Sequence, residues 1–369
     1  MVRLAVVGLG KMGLSHYAMI NAHPQVKVEA VCDSSSYTLD TLNKYTGVRT
    51  YTDFNVLLRE VDLDAVIIAT PSSMHTGMVR AALDKNLHVF CEKPFCLDYV
   101  DSEQLATLAD NKGVVNQVGY HCRFIGAFQE VKRLLDVQAI GEVTHVLAEA
   151  YGPVVLRPRG TSWRIQRSEG GGCLYDYAAH PLNLLNWYLG EPRAVGGSIL
   201  NKIFSKDTDD EVFGTLYYEG DKSAQISVNW SDESYRKMTT KITIWGKHGR
   251  IFADRQECQV YLRDLSHIPP DYQPGWNVRY TTQLTEPVWF YLRGEEYSAQ
   301  LDYFIRHIQE NRIGENINSF RSAAATDRII SWIIADAAGS SSAGNSETVT
   351  EVSRKKGFFF GIGRPASSN

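Results

Sequence analysis

No stretch of this 369-residue sequence stays apolar for the roughly 18 residues that a membrane-spanning helix requires, so a helical membrane protein is excluded. Charge of either sign is not in surplus: 38 Lys and Arg face 42 Asp and Glu, a net −4. That balance supplies no basic footprint for nucleic acid or an anionic membrane. Cysteine is sparse, and Cys32, Cys91, Cys96, Cys122, Cys173 and Cys258 form no CxxC pair. Zinc sites and disulfide frameworks space their cysteines more tightly, so no metal is expected. The six read instead as small buried side chains in a reducing compartment. A signal-peptide pattern is missing too, because a strand-like run from Val2 meets glycine at Gly8. There is no internal repeat. The compartment expected from these absences is the cytoplasm.

What is present is ordinary globular material, 44% hydrophobic and 22% charged, long enough for two domains. The N-terminal third alternates short β-branched runs (3–7, 26–32, 65–69, 88–91, 114–118) with amphipathic segments (12–22, 74–84, 101–111). That alternation predicts βαβ units, hence a doubly wound parallel sheet in an α/β domain over residues 1–121. Beyond it, after a strand candidate at 143–151, successive strand candidates run from 194 to 261, such as 213–218, 224–230 and 239–245, with no repeated crossover helices between them. They predict a mostly antiparallel sheet, with helices at 125–137, 174–189, 295–309 and 321–338, in an α+β domain over 122–338. The Ser- and Gly-rich stretch 339–346 is expected to be a flexible connection within a partly flexible C-terminal extension, 339–369.

Gly8-Leu9-Gly10-Lys11-Met12-Gly13 follows a strand and opens a helix. Its first glycine permits the tight turn, its second lets backbone approach a pyrophosphate, and its third packs the helix on the strand. Asp33 stands 20 residues past Gly13, at the end of the second strand, placed to bind a ribose 2′-hydroxyl. A carboxylate there repels a 2′-phosphate and favours NAD over NADP; Lys11 and Arg49 are the cations that argue otherwise.

Two further segments, Ala69-Thr-Pro-Ser-Ser-Met-His75 and Cys91-Glu-Lys-Pro94, each follow a buried strand. In an open α/β sheet this places them at the crevice where ligands bind. With the glycine loop and Gly171-Gly-Cys-Leu-Tyr-Asp-Tyr-Ala-Ala-His180, they resemble the Gfo/Idh/MocA oxidoreductase family, from residue 1 to about the helix ending near 338. The resemblance implies that Thr70, Pro71, His75 and Glu92 line the NAD site, that Lys93 faces both cofactor and substrate, and that Lys93-Pro94 is cis. It also implies an open second sheet whose face builds a homodimer or homotetramer.

Asp176 and His180, four residues apart, fall on one helical face. Oxidising a carbinol releases a proton, and histidine is the side chain suited to take it. The resemblance makes Lys93, Asp176 and His180 the catalytic trio, with Asp176 orienting the ring or binding substrate. One segment departs from the family: Tyr120-His-Cys-Arg-Phe124 keeps Tyr120, Arg123 and Phe124, but His121 replaces an amide often near the nicotinamide. The loop 157–167 holds four arginines and no acid. By the resemblance its Trp163-Arg164 pair reaches cofactor or substrate. With Arg157, these predict an anionic sugar substrate such as a sugar acid or nucleotide sugar, or alternatively a solvated loop or intersubunit contact. The activity expected is NAD-dependent oxidation of a secondary hydroxyl on a sugar, cyclitol or sugar derivative. An NAD-dependent glycosidase working through transient oxidation is the alternative. A non-catalytic dinucleotide-binding regulator is disfavoured because Lys93 is retained.

Overall fold

The structure, a computed structural model, describes residues 1–156, 163–263, 268–314 and 316–343. Six short strands form a parallel sheet: β1 (Val2–Val7), β2 (Val26–Cys32), β3 (Arg49–Tyr51), β4 (Ala65–Ile68), β5 (His88–Cys91) and β6 (Asn116–Val118). Their order, β3-β2-β1-β4-β5-β6, is the doubly wound arrangement that the alternation predicts. Crossovers are made by α1 (Lys11–Asn21), α2 (Ser36–Thr46), α3 (Phe54–Glu60), α4 (His75–Asp84) and α5 (Tyr99–Lys112). Strand order reverses between β1 and β4, which opens a crevice at their carboxyl ends.

Elements α2, β3 and α3 are additions to the expected pattern. Leu39 is the one buried residue of α2, so no apolar stripe announces that helix. Its cap does: Ser35 accepts from the Thr38 N–H, as Asp53 accepts from Asn55 and Val56 at the start of α3.

The second sheet has eight strands: β7 (Val143–Tyr151), β8 (Ala194–Asn201), β9 (Glu211–Tyr217), β10 (Ser223–Asn229), β11 (Thr239–Gly246), β12 (Gly249–Ala253), β13 (Glu257–Leu262) and β14 (Gly275–Tyr280). All pairings are antiparallel except β7 with β10. Alternation sends Val146, Ala148, Ile226, Ile244, Ile251 and Val260 into the core, under α6 (Gly126–Asp136) and α7 (Ala179–Leu189). The register puts Tyr217, Trp245, Phe252, Tyr261 and Trp276 on the opposite face. That face is the open one.

After a short helix, α8 (Thr281–Leu284), two C-terminal helices tie the sheets together. In α9 (Glu295–Gln309), Leu301, Phe304 and Ile305 pack with Leu4, Val6 and Ile67, so this late helix covers one face of the first sheet. The other helix, α10 (Phe320–Ala343), packs on α5, α7 and β8. It continues through Gly339 to Ala343, so the first five residues of the expected flexible connection are helical instead. The rest of the expected extension lies outside the described residues.

Asp327 of α10 is buried and accepts from the Cys96 N–H at 3.0 Å and the Ser102 hydroxyl at 2.6 Å, which bolts the helix to the loop after Pro94. Burial pushes its carboxyl up to about 7. The folded state therefore holds this proton more tightly than the unfolded chain does. The resulting stabilisation is complete below the ordinary carboxyl range and lost as pH rises through about 7. Asp327→Asn, a mimic of the protonated acid, should gain about 2–3 kcal/mol relative to wild type between about pH 5 and pH 8. Melting temperatures of both proteins at the two pH values check this; a pH-independent difference contradicts it.

Candidate active site

The glycine loop turns at Gly8, whose φ is +85° and whose absent Cβ would stand 2.7 Å from the Ala69 carbonyl oxygen. A Cβ on Gly13 would stand 1.6 Å from the Gly8 oxygen, so helix and strand meet with no room to spare. Gly10 is different: nothing lies within 4 Å of its Cβ position, and no side chain caps the first turn of α1 there. The positive end of the helix thus faces open space at the crevice, which suits a pyrophosphate. Asp33 accepts from the Leu9 N–H at 2.5 Å and the Ser35 N–H at 2.8 Å, fixing its carboxylate beside the loop. Arg49, weighed as a counter-cation, is instead paired with Glu29 at 3.3 Å. These features fit a dinucleotide. Asp33→Asn keeps the acceptor and removes the charge; it should raise the NADP/NAD ratio of kcat/KM at least about tenfold. An unchanged ratio would show that the charge does not discriminate.

Glu92 is buried, with His16 Nε2 at 2.6 Å and the Lys93 N–H at 3.2 Å. Burial alone would raise its carboxyl, but the His16 bond and the charge of Lys93 outweigh it and hold it below the usual range. His16 lies on α1, so this pair locks the glycine-loop helix to the Glu92-Lys93-Pro94 turn. Sequence reasoning missed His16. Its one signal is its place three residues after Gly13, on the helix face turned to the sheet.

Thr70 and Pro71 sit in the loop after β4, at the crevice. His75 corrects an expectation. It is buried, with Nδ1 2.9 Å from the Pro94 oxygen and Nε2 3.1 Å from the Thr70 oxygen. It braces the two loops against each other. The Lys93-Pro94 bond is cis, as the resemblance implies.

Lys93 Nζ donates to Asp176 twice, to Oδ1 at 2.8 Å and to the carbonyl at 2.9 Å. The second carboxylate oxygen accepts from Arg164 Nε at 2.8 Å. Burial works to raise this acid, yet the two cations overcome it and hold it far below the usual carboxylate range. The guanidinium of Arg164 lies 4.7 Å over the Trp163 ring, so the expected Trp-Arg pair is assembled beside Lys93. Arg157 lies outside the described residues.

The helix expected over 174–189 is not uniform: Leu174–Ala178 is a π turn before α7. Pro181 has no N–H to return to the Tyr177 carbonyl, and the ladder widens there. The wider turn sends the Asp176 carboxylate to Lys93 and Arg164, so it does not orient the His180 ring through a hydrogen bond. His180 Nδ1 instead lies 3.7 Å from Cys122 Sγ, and its ring lies edge-on to His121 at 4.8 Å. Burial, then the charge of Lys93, drives His180 well below the ordinary histidine range. Burial likewise pushes His121 down to about 3. Both rings are neutral at pH 7.

Tyr120 is buried edge-on behind His180, 6.1 Å between centroids. Arg123 does not reach the crevice. It is buried, donates to the Asn183 oxygen at 2.7 Å and to the Ile317 oxygen, and lies over Trp187. The expectation that it binds substrate is corrected: it joins the segment after β6 to α7 and to the approach to α10. Tyr297 of α9, stacked on His121 at 4.5 Å and 19°, carried no sequence signal at all.

A doubly wound sheet whose glycine loop faces a buried Lys-Asp-His cluster defines a dinucleotide-dependent oxidoreductase. Residues 2–120 match the oxidoreductase family with an NAD-binding Rossmann fold, and residues 128–252 match the GFO/IDH/MocA C-terminal domain. The chain belongs to the Gfo/Idh/MocA family of NAD-binding oxidoreductases. It is 28% identical over 294 residues to scyllo-inositol 2-dehydrogenase (NAD(+)) of Bacillus subtilis, 77% of this chain and 84% of that protein. It is 29% identical over 273 residues to 2,7-anhydro-N-acetylneuraminate hydratase of Escherichia coli, 71% of this chain and 70% of that one. Levoglucosan dehydrogenase in complex with NADH and levoglucosan shares the fold, with a TM-score of 0.80 at 21% identity, covering 92% of this chain and 97% of that one. No helix among the described residues is long and apolar enough to cross a membrane.

Proposed function

We propose that this protein catalyses reversible oxidation of a secondary hydroxyl on a sugar, cyclitol or sugar derivative, with NAD as its cofactor. The observation that carries the reading is the Lys93 ammonium, fixed at 2.8 Å on Asp176 beside a neutral, buried His180. Bound NAD supplies the hydride acceptor, held by the glycine loop and Asp33. His180 takes the hydroxyl proton. Lys93 donates to the same oxygen and stabilises the negative charge that grows on it. Asp176 positions Lys93 and Arg164.

A sugar acid or nucleotide sugar is the finer reading. Arg164 and Arg157 offer planar cations for carboxylate or phosphate, and Trp163 offers a face for a sugar ring. Similarity to a hydratase acting on an N-acetylneuraminate derivative supports an acidic substrate. It also favours a second reading, transient oxidation followed by elimination, as in an NAD-dependent glycosidase. The six buried, unbridged thiols suit the cytoplasm. The aromatic open face of the second sheet suits a homodimer or homotetramer.

A panel of inositols, aldoses, sugar acids and nucleotide sugars, read as NADH absorbance, tests the proposal. One panel member should reduce NAD stoichiometrically. Product formation without net NADH selects the transient reading, and the absence of either overturns both.

A further inference from the structure

We propose that His121, Cys122 and His180 form a binding site for a soft divalent cation of the zinc class, whose occupancy withdraws His180 from proton transfer. No metal is expected from the cysteine spacing; the fold brings His180 onto the adjacent His121-Cys122 pair. Cys122 Sγ lies 3.7 Å from His180 Nδ1 and 3.9 Å from His121 Nε2. All three donor atoms fall within 4.8 Å of one another. Around a tetrahedral zinc, with bonds of about 2.3 Å to sulfur and about 2.0–2.1 Å to nitrogen, sulfur and nitrogen stand about 3.6 Å apart. The two sulfur–nitrogen edges are therefore within a few tenths of an ångström of ligand spacing before any metal arrives.

The chemistry of the donors agrees. Each imidazole turns a ring nitrogen, Nε2 of His121 and Nδ1 of His180, toward Cys122 Sγ, where a neutral ring offers its lone pair. One thiol with two imidazoles is a set that zinc and cobalt accept and magnesium or calcium does not. Tyr297 stacks flat on His121 and fixes its ring, and its hydroxyl, 3.5 Å from His121 Nε2, turns away when that nitrogen takes the ion.

The charged neighbours set the strength. Lys93, Arg255 and Arg293 oppose a cation here, and Glu92 and Glu296 favour it. Lys93, the nearest to His180, is already held by Asp176. Binding forms a metal–sulfur bond, and the Cys122 thiol proton passes to solvent; nothing is oxidised or reduced. Because the ligand is the thiolate, affinity should rise with pH. Ligation through Nδ1 places a positive charge on His180 and opposes its protonation. This inhibitory consequence rests on the base role given to His180 above; the metal site does not.

The full-length protein titrated with Co2+ alone should develop a sulfur-to-cobalt charge-transfer band and intense tetrahedral d–d bands that saturate at one equivalent. Cys122→Ser and Cys122→Ala should lose the charge-transfer band while keeping wild-type turnover on the panel substrate. His121→Gln should weaken Co2+ binding at least about tenfold, a second check if the cysteine variants fold poorly. Zn2+ should inhibit wild type, with recovery on adding EDTA, at concentrations that spare Cys122→Ser. No thiolate band in wild type, or the same band in Cys122→Ser, overturns the site. A saturated band with undiminished turnover overturns the inhibition and, with it, the base role of His180, while leaving the site.

Discussion

Lys93→Met is expected to lower kcat by about three orders of magnitude while leaving NADH affinity within about threefold. Methionine keeps the apolar stem that the site buries, since the lysine side chain is only 14% exposed. It deletes the ammonium whose position is set by two bonds to Asp176. Asp176 retains Arg164 as a charge partner, so the buried carboxylate is not left alone and the fold should survive. The loss then falls on the developing oxyanion, where a removed donor typically costs about 10²–10³ in rate and a lost proton path adds to it. Steady-state turnover on the panel substrate and NADH fluorescence titration separate the two effects. Turnover within tenfold of wild type would take Lys93 out of the mechanism.

Gly13→Ala should be nearly as damaging, through the fold. Its methyl carbon would stand 1.6 Å from the Gly8 oxygen and 2.7 Å from the Gly8 carbon, both backbone atoms. Strand β1 and helix α1 must separate to admit it, at a cost of about 3 kcal/mol or more and with the phosphate cradle deformed. Gly10→Ala makes the contrast: its methyl meets nothing within 4 Å, so the melting temperature should hold. The same methyl points into the space a pyrophosphate needs, and NADH affinity should fall at least about tenfold. Equal melting temperatures for Gly13→Ala and wild type would refute the close-packing argument.

Much of this site is visible in the order of residues. The glycine loop, Asp33, the turn at Glu92-Lys93-Pro94 and the Asp176/His180 pair each sit at a strand end or on one helix. Their meaning depends on local geometry that a short segment dictates by itself. The strands of the second sheet at 143–151, 213–218, 224–230 and 239–245 were legible for the same reason, through alternation. β12 and β13 fall inside the run of strand candidates expected from 194 to 261, whereas β14 lies beyond it and was not legible, because a short strand with an aromatic open face carries a weaker contrast between its two sides.

His75 and Arg123 show the limit differently. Each belongs to a motif segment, but a motif places a backbone, while burial decides where the side chain goes. Both turned inward to satisfy backbone carbonyls. His16, Asp327 and Tyr297 are invisible for a further reason: their partners lie 76, 225 and 176 residues away.

The sequence by itself determined a dinucleotide-binding parallel fold, the preference for NAD implied by Asp33, and the placement of Lys93, Asp176 and His180 as candidate site residues. These follow from backbone conformation and from charge, which act over a few residues. Tertiary structure alone decided that α9 closes the first sheet and that Asp176 serves Lys93 and Arg164 in place of the His180 ring. It also decided that His121, Cys122 and His180 converge. Those outcomes depend on which distant surfaces exclude water together, and hydrophobic burial has no direction along the chain.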